Sequence, residues 1–313
     1  MTQSRFLKPR FAWLLTGGIA LTTAACGDED PGIDPDVDAS AEPDASEPAT
    51  QPVEIAFAAR FGDDDAACGE TYEGVGAADT TIEITDLRFY VSGIHLISED
   101  GDEVPVELDQ ESDWQYEDVA LLDFEDGSAS CSEFGNPEMN DVVVGEVAEG
   151  EYVGIRFDVG LPFEHNHLDV DAAPSPLNIH ALQWNWRAGY IFLKLDMLND
   201  NDPPDDRWIV HLGSTGCDSG SPLEPPSLPC ENPNRPTITL EDFAPDADTI
   251  VLDLEALLAD TNLEENSEDS GTGCQSFAED EAECEPIFAN LGLSFATGHC
   301  DGGCEGQTAF RVE

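Results

Sequence analysis

The chain reads as a mainly β protein, an antiparallel β-sandwich or jelly-roll-like domain with few short helices, and three observations predict it. Apolar and polar residues alternate over short runs such as VEIAFAARF (53–61), where Val53, Ile55 and Phe57 share one face. Clusters of Gly, Pro, Asn and Asp separate these runs, as turns between strands require. Helical and strand periods do not alternate along the chain as βαβ units would need, and no period marks an internal repeat.

Taken in order, TIEITDLRFYVSGIHLI (81–97) reads as one long strand, or two split at Gly93, and EVPVEL (103–108) follows the turn EDGD. VALLDFED, YVGIRFDVGLP, YIFLKLDML, RWIVHLGS, PTITLEDF and TIVLDL continue the pattern. The segment EALLADTN (255–262) is the plausible helix. NDNDPPDD (199–206) offers oxygen ligands to a hard cation, but it lacks the EF-hand glycine and distal glutamate and lies between two strands, so a solvated hairpin loop is favoured.

The folded part starts at about Val53. Residues 1–25 carry Arg5, Lys8 and Arg10, then an apolar run from Phe11 to about Leu21, then small residues, which is the layout of a secretory signal too short to span a membrane. Small residues directly before Cys26 point to lipoprotein processing with Cys26 as the lipidated first residue, although Thr23 stands where a lipobox has Leu. Ordinary cleavage after Ala25, leaving Cys26 as an odd thiol, is the alternative. Residues 27–52 contain nine acids and no base, too little apolar surface to fold, and read as an acidic disordered tether ahead of a domain at 53–313.

Charge limits the partners. Beyond residue 25 the chain has 68 acids and, after the three leader bases are taken from eleven, 8 bases, a formal net of −60. Nucleic acid and anionic lipid are poor partners for such a chain, and the membrane is expected to be reached through the lipid anchor only. Such a field concentrates cations, though for most of these carboxylates it serves solubility.

Apart from Cys26, eight cysteines remain: Cys68, Cys131, Cys217, Cys230, Cys274, Cys284, Cys300 and Cys304. An even count in an exported chain argues for disulfides, and no zinc-ribbon CxxC pair competes. Short spacings favour Cys217 with Cys230, Cys274 with Cys284 and Cys300 with Cys304, while Cys68 with Cys131 would join distant strands; the sequence alone leaves the connectivity open.

The chemistry-bearing residues are histidines and tryptophans. His165 and His167 in FEHNHLD would project from one side of an extended segment. His211 lies in the strand-like WIVHLGSTGC, and imidazole is a common copper and zinc ligand. Two of the five tryptophans, Trp184 and Trp186, are two residues apart in WNW; spacing alone would assign them to sheet packing, as it does Trp114 and Trp208. No GxSxG, HExxH, Walker A or CxxCH motif is present, and the serine of HLGSTG has no base and acid partners, so the chain is expected not to be an enzyme.

AARFGDDDAACGETYEGVG, DLRFYVSGIHLI, VALLDFEDG with a following cysteine, GLPFEHNHLD, APSPLN, WNWRAGY, VHLGSTGC, NRPTITL and a late cysteine-bearing segment occur in the order in which they resemble the MbnP-like copper-binding proteins. The resemblance runs from about residue 53 to the end. It implies an exported, periplasmic or surface β-sandwich that binds copper, with a di-haem enzyme of the cytochrome c peroxidase type as partner. That partner oxidises a tryptophan to kynurenine, whose aromatic amine can meet a metal where indole cannot. Carried over, His167 and His211 match the family's histidines and Trp184 and Trp186 its WxW pair, with either tryptophan open to modification; His165 and His180 lie beside these motifs. Arg187 stands where relatives often have Gln, and a cation there would weaken Cu(I) binding. The alternative function is a cell-surface β-sandwich module that binds carbohydrate or a partner protein without metal.

Overall fold

A computed structural model describes residues 49–133, 135–200, 207–221, 223–268, 270–300 and 302–313. The leader, Cys26, all but the last residues of the tether, and positions 201–206 of the acidic hairpin lie outside the described residues.

Two sheets face each other, as the alternating runs require. The smaller contains the strand Thr50–Phe61, which takes in three residues ahead of Val53, together with Val142–Ala148, Thr249–Asp253 and Phe310–Val312. Its pairings are antiparallel except one: Thr50–Phe61 runs parallel to Thr249–Asp253, with Ala56 opposite Thr249. The larger sheet is built on Thr80–Ser98, a single strand of 19 residues flanked by Val119–Asp123, Leu193–Asn199 and Tyr152–Val159. Gly93 does not split it. At a φ of +58° it forms a bulge against Tyr152–Val159, where the register shifts between Arg156 and Asp158.

The main core fills the space between the sheets. Phe57 meets Phe157 at a ring separation of 5.6 Å and Phe89 at 6.3 Å, both edge-on, and Phe310 closes the group against Phe89 at 6.0 Å. Trp208 is fully buried in this core. Each such ring contributes about 2–3 kcal/mol by leaving water, so the sandwich is a rigid platform.

A second, smaller core lies on the outer face of the large sheet and positions the site. Tyr90, Val119 and Leu121 of the sheet pack there against Leu161, Leu177, Leu182, Tyr190 and Phe192, with Trp114 partly buried at the edge. The covering segment is pinned by polar contacts: the Ser92 hydroxyl donates to the Gly160 carbonyl at 2.6 Å, and the Tyr90 and Tyr190 hydroxyls donate to the carbonyls of Pro176 and Leu177.

Helix is scarce. The helix expected over 255–262 is a shorter one, Leu254–Leu258, capped by the Asp253 carboxylate, which accepts from the Ala256 N–H at 3.1 Å. A longer helix, Glu281–Asn290, carries Pro286 inside it and was not legible; it buries Glu283 beside Cys284, Ile287 and Phe288, which breaks any clean apolar stripe. All four favoured cysteine pairings are disulfides: Cys68–Cys131, Cys217–Cys230, Cys274–Cys284 and Cys300–Cys304.

Candidate metal centre

The two histidines of FEHNHLD do not share a side. Pro162 starts a helical turn, Phe163–Asn166, and its carbonyl accepts from the N–H groups of His165 and Asn166 at 3.0 Å each. A helical turn rotates successive side chains by about 100°, so residues two apart point away from each other. The extended reading of this segment is thereby corrected. His165 turns to the acids Glu117 and Asp118, at 3.2 and 3.5 Å, with its ring edge-on to Tyr116. Its bond to Asp118 pushes the imidazole pKa up, against the opposing effect of burial.

His167 turns the other way, into a buried position beside the WNW hairpin. Gln183–Asn185 pairs antiparallel with Gly189–Tyr190, and the Asn185 side-chain oxygen closes the turn by accepting from the N–H groups of Arg187 and Ala188 at 3.0 Å each. Three contacts dock this hairpin on the 163–168 segment. Asn166 Oδ1 accepts from the Tyr190 N–H at 2.8 Å, Gln183 donates to the Leu168 carbonyl at 2.9 Å, and His167 Nδ1 meets the Trp186 carbonyl at 3.0 Å. Gly189, at a φ of +86°, leaves the space that the Asn166 amide fills.

These contacts decide the state of His167. A carbonyl only accepts, so Nδ1 carries the proton and Nε2 carries a lone pair. Asn166 is oriented by Tyr190, which leaves its NH2 near Nε2 at a long 3.3 Å. Burial pushes the imidazole pKa below its ordinary range, against the upward pull of the Trp186 carbonyl, so the ring is neutral at neutral pH. On the open side of Nε2 lies the Cys217–Cys230 disulfide, with Cys230 Sγ at 3.5 Å. His167, Cys217 and Cys230 form the one group of three or more His, Cys, Asp or Glu among the described residues whose ligand atoms all lie within 4.8 Å of each other.

The two tryptophans are held differently. Trp186 is 36 % exposed at the hairpin tip. Trp184 is packed: its ring lies 5.2 Å from that of Phe277, and a Cβ on Gly213 would sit 2.7 Å from it. Its indole N–H is buried without an acceptor, a costly state for a donor.

His211 ends a row of charges that crosses the outer face of the large sheet. Asp123 stands opposite Arg88, Arg88 opposite Lys194, and Lys194 opposite His211. His211 Nε2 lies 2.7 Å from Asp196 Oδ1, whose other oxygen is 3.5 Å from Lys194 Nζ; Lys194 reaches Asp86 at 2.6 Å, and Asp86 is forked by Arg88. Burial opposes ionisation of Asp196, but the His211 bond and the Lys194 charge outweigh it and hold the carboxyl below its usual range. With Nε2 given to Asp196, Nδ1 is the nitrogen of His211 left for a metal.

The MbnP family profile matches residues 50–276, well over half of the chain. The chain belongs to the MbnP family. It is also similar to the solved MbnP from Methylosinus trichosporium, at 32 % identity and a TM-score of 0.74, over 84 % of this chain and 98 % of that one. No curated protein matches. The match ends at Ser276, so within the MbnP domain fall His165, His167, both WNW tryptophans, His211 and the cysteines up to Cys274; the helix Glu281–Asn290 and the Cys300–Cys304 loop follow it.

Asp196, bonded to His211, and Gly213, packed against Trp184, are contacts of candidate residues that the sequence did not single out. Asp196 is 15 residues from His211, and only the antiparallel pairing of their strands brings the two together. Gly213, two residues after His211 in HLGSTG, was open to notice, because a glycine at a strand end often marks close approach of another group. His180 is exposed, 3.0 Å from Asp171, and Arg187 is exposed at the hairpin tip.

Proposed function

We propose that this MbnP-family protein is an exported copper-binding lipoprotein, anchored through Cys26, in which His167 and His211 hold copper beside a tryptophan of WNW that a di-haem peroxidase-like partner has oxidised to kynurenine. The observation that carries the reading is His167: a buried, neutral imidazole with Nδ1 occupied by a carbonyl and Nε2 free of any strong donor. A structural histidine would have both nitrogens well bonded. Its donor set suits a nitrogen-seeking, polarisable ion, and Cu(I) accepts few ligands.

The residues fit in two further respects. His211 is aligned by a carboxylate on one ring nitrogen, the arrangement that fixes the tautomer and orientation of a ligating imidazole. Trp184 is the tryptophan we assign to oxidation, since its buried indole N–H has no acceptor and opening of the pyrrole ring would replace that group with an amine and a ketone. Trp186 contributes its carbonyl, which orients His167. Copper would serve here as cargo, for acquisition or homeostasis, and no turnover is assigned to the chain. Among the described residues no helix is long and apolar enough to cross a membrane.

The test is a competitive Cu(I) titration of protein produced together with its partner, comparing the native chain with His167→Ala. At least a tenfold loss of affinity, about 1.4 kcal/mol, is expected. Equal affinities would overturn the assignment of His167.

A further inference from the structure

We propose that the Cys217–Cys230 disulfide is a redox-gated metal site: when a dithiol reduces it, the two thiolates and His167 Nε2 together take one soft d10 cation, Cu(I). The proposal rests on the copper reading above for its choice of metal, and its test separates the two.

The geometry is specific to this disulfide. Of the four, it alone has neither cysteine buried; Cys131, Cys274, Cys284 and Cys304 are each at most 2 % exposed. A reductant must reach sulfur to attack it, and this bond offers a half-buried cysteine at both ends where Cys68–Cys131 and Cys300–Cys304 offer one and Cys274–Cys284 none. It is also the disulfide with a sulfur 3.5 Å from His167 Nε2, which the Asn166 amide approaches only at a long 3.3 Å, and all three ligand atoms already lie within 4.8 Å of one another. In the oxidised state these sulfurs are neutral and poor ligands. Reduced and deprotonated, they become two soft anionic ligands beside a neutral nitrogen, the set that selects Cu(I) over hard cations.

The reduction balances as follows. A thiolate of the external dithiol attacks one sulfur, the Cys217–Cys230 bond breaks, and a mixed disulfide forms. The second thiol of the reductant displaces it, so the dithiol departs as its own disulfide after giving two electrons and two protons to the cysteines. Binding of Cu(I) then releases the two thiol protons to water. The neighbouring hydrogen bonds hold the loop ends together while the bond is open: Thr215 and Asn232 exchange backbone bonds at 2.9 and 3.0 Å, and the Ser214 hydroxyl donates to the Pro233 carbonyl at 2.9 Å.

The experiment uses the full chain under anaerobic conditions, with Cu(I) alone as the probe. A limiting amount of a small dithiol is added, free thiols are alkylated and mapped by mass spectrometry, and a parallel sample is loaded with copper for X-ray absorption. The expected result is alkylation of Cys217 and Cys230 ahead of the other six paired cysteines, with a copper–sulfur shell in the reduced protein that the oxidised protein lacks. The doubly substituted Cys217→Ser, Cys230→Ser chain should gain no such shell. The proposal is overturned if the other cysteines label first, if copper on the reduced native protein stays free of sulfur, or if the serine variant gains the same shell. The native oxidised and reduced samples decide it even if that variant does not fold. Should the oxidised protein bind no copper while the reduced protein does, the function proposed above fails and this site stands.

Discussion

His167 Nδ1 lies 3.0 Å from the main-chain carbonyl of Trp186, so the tip of the WNW hairpin sets which nitrogen of the buried histidine carries the proton. The contact uses backbone, so it survives any change of the Trp186 side chain. Nitrogen NMR of the histidines should therefore find His167 as the Nδ1–H tautomer in the metal-free protein, and addition of Cu(I) should shift Nε2. Finding the proton on Nε2 would remove the basis for coordination there.

Asp196 acts on His211 through one hydrogen bond of 2.7 Å. Asp196→Asn keeps the shape but removes the charge, and a neutral amide holds the ring less firmly. Loss of such an orienting partner typically costs about 10–100-fold in metal affinity. Lys194 keeps its contact with Asp86, so the fold is expected to survive. A copper titration of this variant that matched the native protein would show that His211 is not a ligand.

Gly213→Ala tests the packing of Trp184. The added methyl would stand 2.7 Å from the indole, with the Tyr190 carbonyl 2.8 Å away on backbone that cannot step aside. A loss of about 1–3 kcal/mol in stability is expected from such overpacking, read by denaturant unfolding, together with weaker copper binding. An unchanged midpoint would mean that the indole is free to move.

The buried charge row has its own pH signature. Four carboxylates, Asp86, Asp123, Glu125 and Asp196, share two permanent cations, Arg88 and Lys194. Burial raises Asp123 to about 7, with one oxygen left without a partner. Its folded-state pKa lies above the unfolded value of about 3.9, so its contribution to stability is full below about pH 4 and is lost as pH rises toward and past 7. Asp123→Asn should flatten this part of the profile, reducing the fall in melting temperature between pH 5 and pH 8.5 by about 5 °C. Identical pH profiles for the two proteins would contradict a protonated Asp123.

How far the sequence reached depended on how local each feature was. The sandwich was legible because period-two runs such as 53–61 bury one face whatever they pair with. For the disulfides, spacing favoured the pairings that formed, but eight cysteines left the connectivity open and only the fold brings Cys68 to Cys131, 63 residues away. The single parallel pairing was not legible, since the same apolar pattern serves either direction. The turn at Phe163–Asn166 was missed because four residues carry no period. That miss reversed the relation of His165 to His167, and only tertiary contacts separate a histidine set among acids from one whose Nε2 meets only a long amide contact and a disulfide sulfur.

Copper and an oxidised tryptophan are expected to occur together in this protein, and material purified from the native host decides the matter. Peptide mass spectrometry should find the segment with Trp184 heavier by about 4 Da, one oxygen gained and one carbon lost, with Trp186 unchanged, and metal analysis of the same sample should find copper. Unmodified Trp184 and Trp186 in protein that carries no copper would contradict the account.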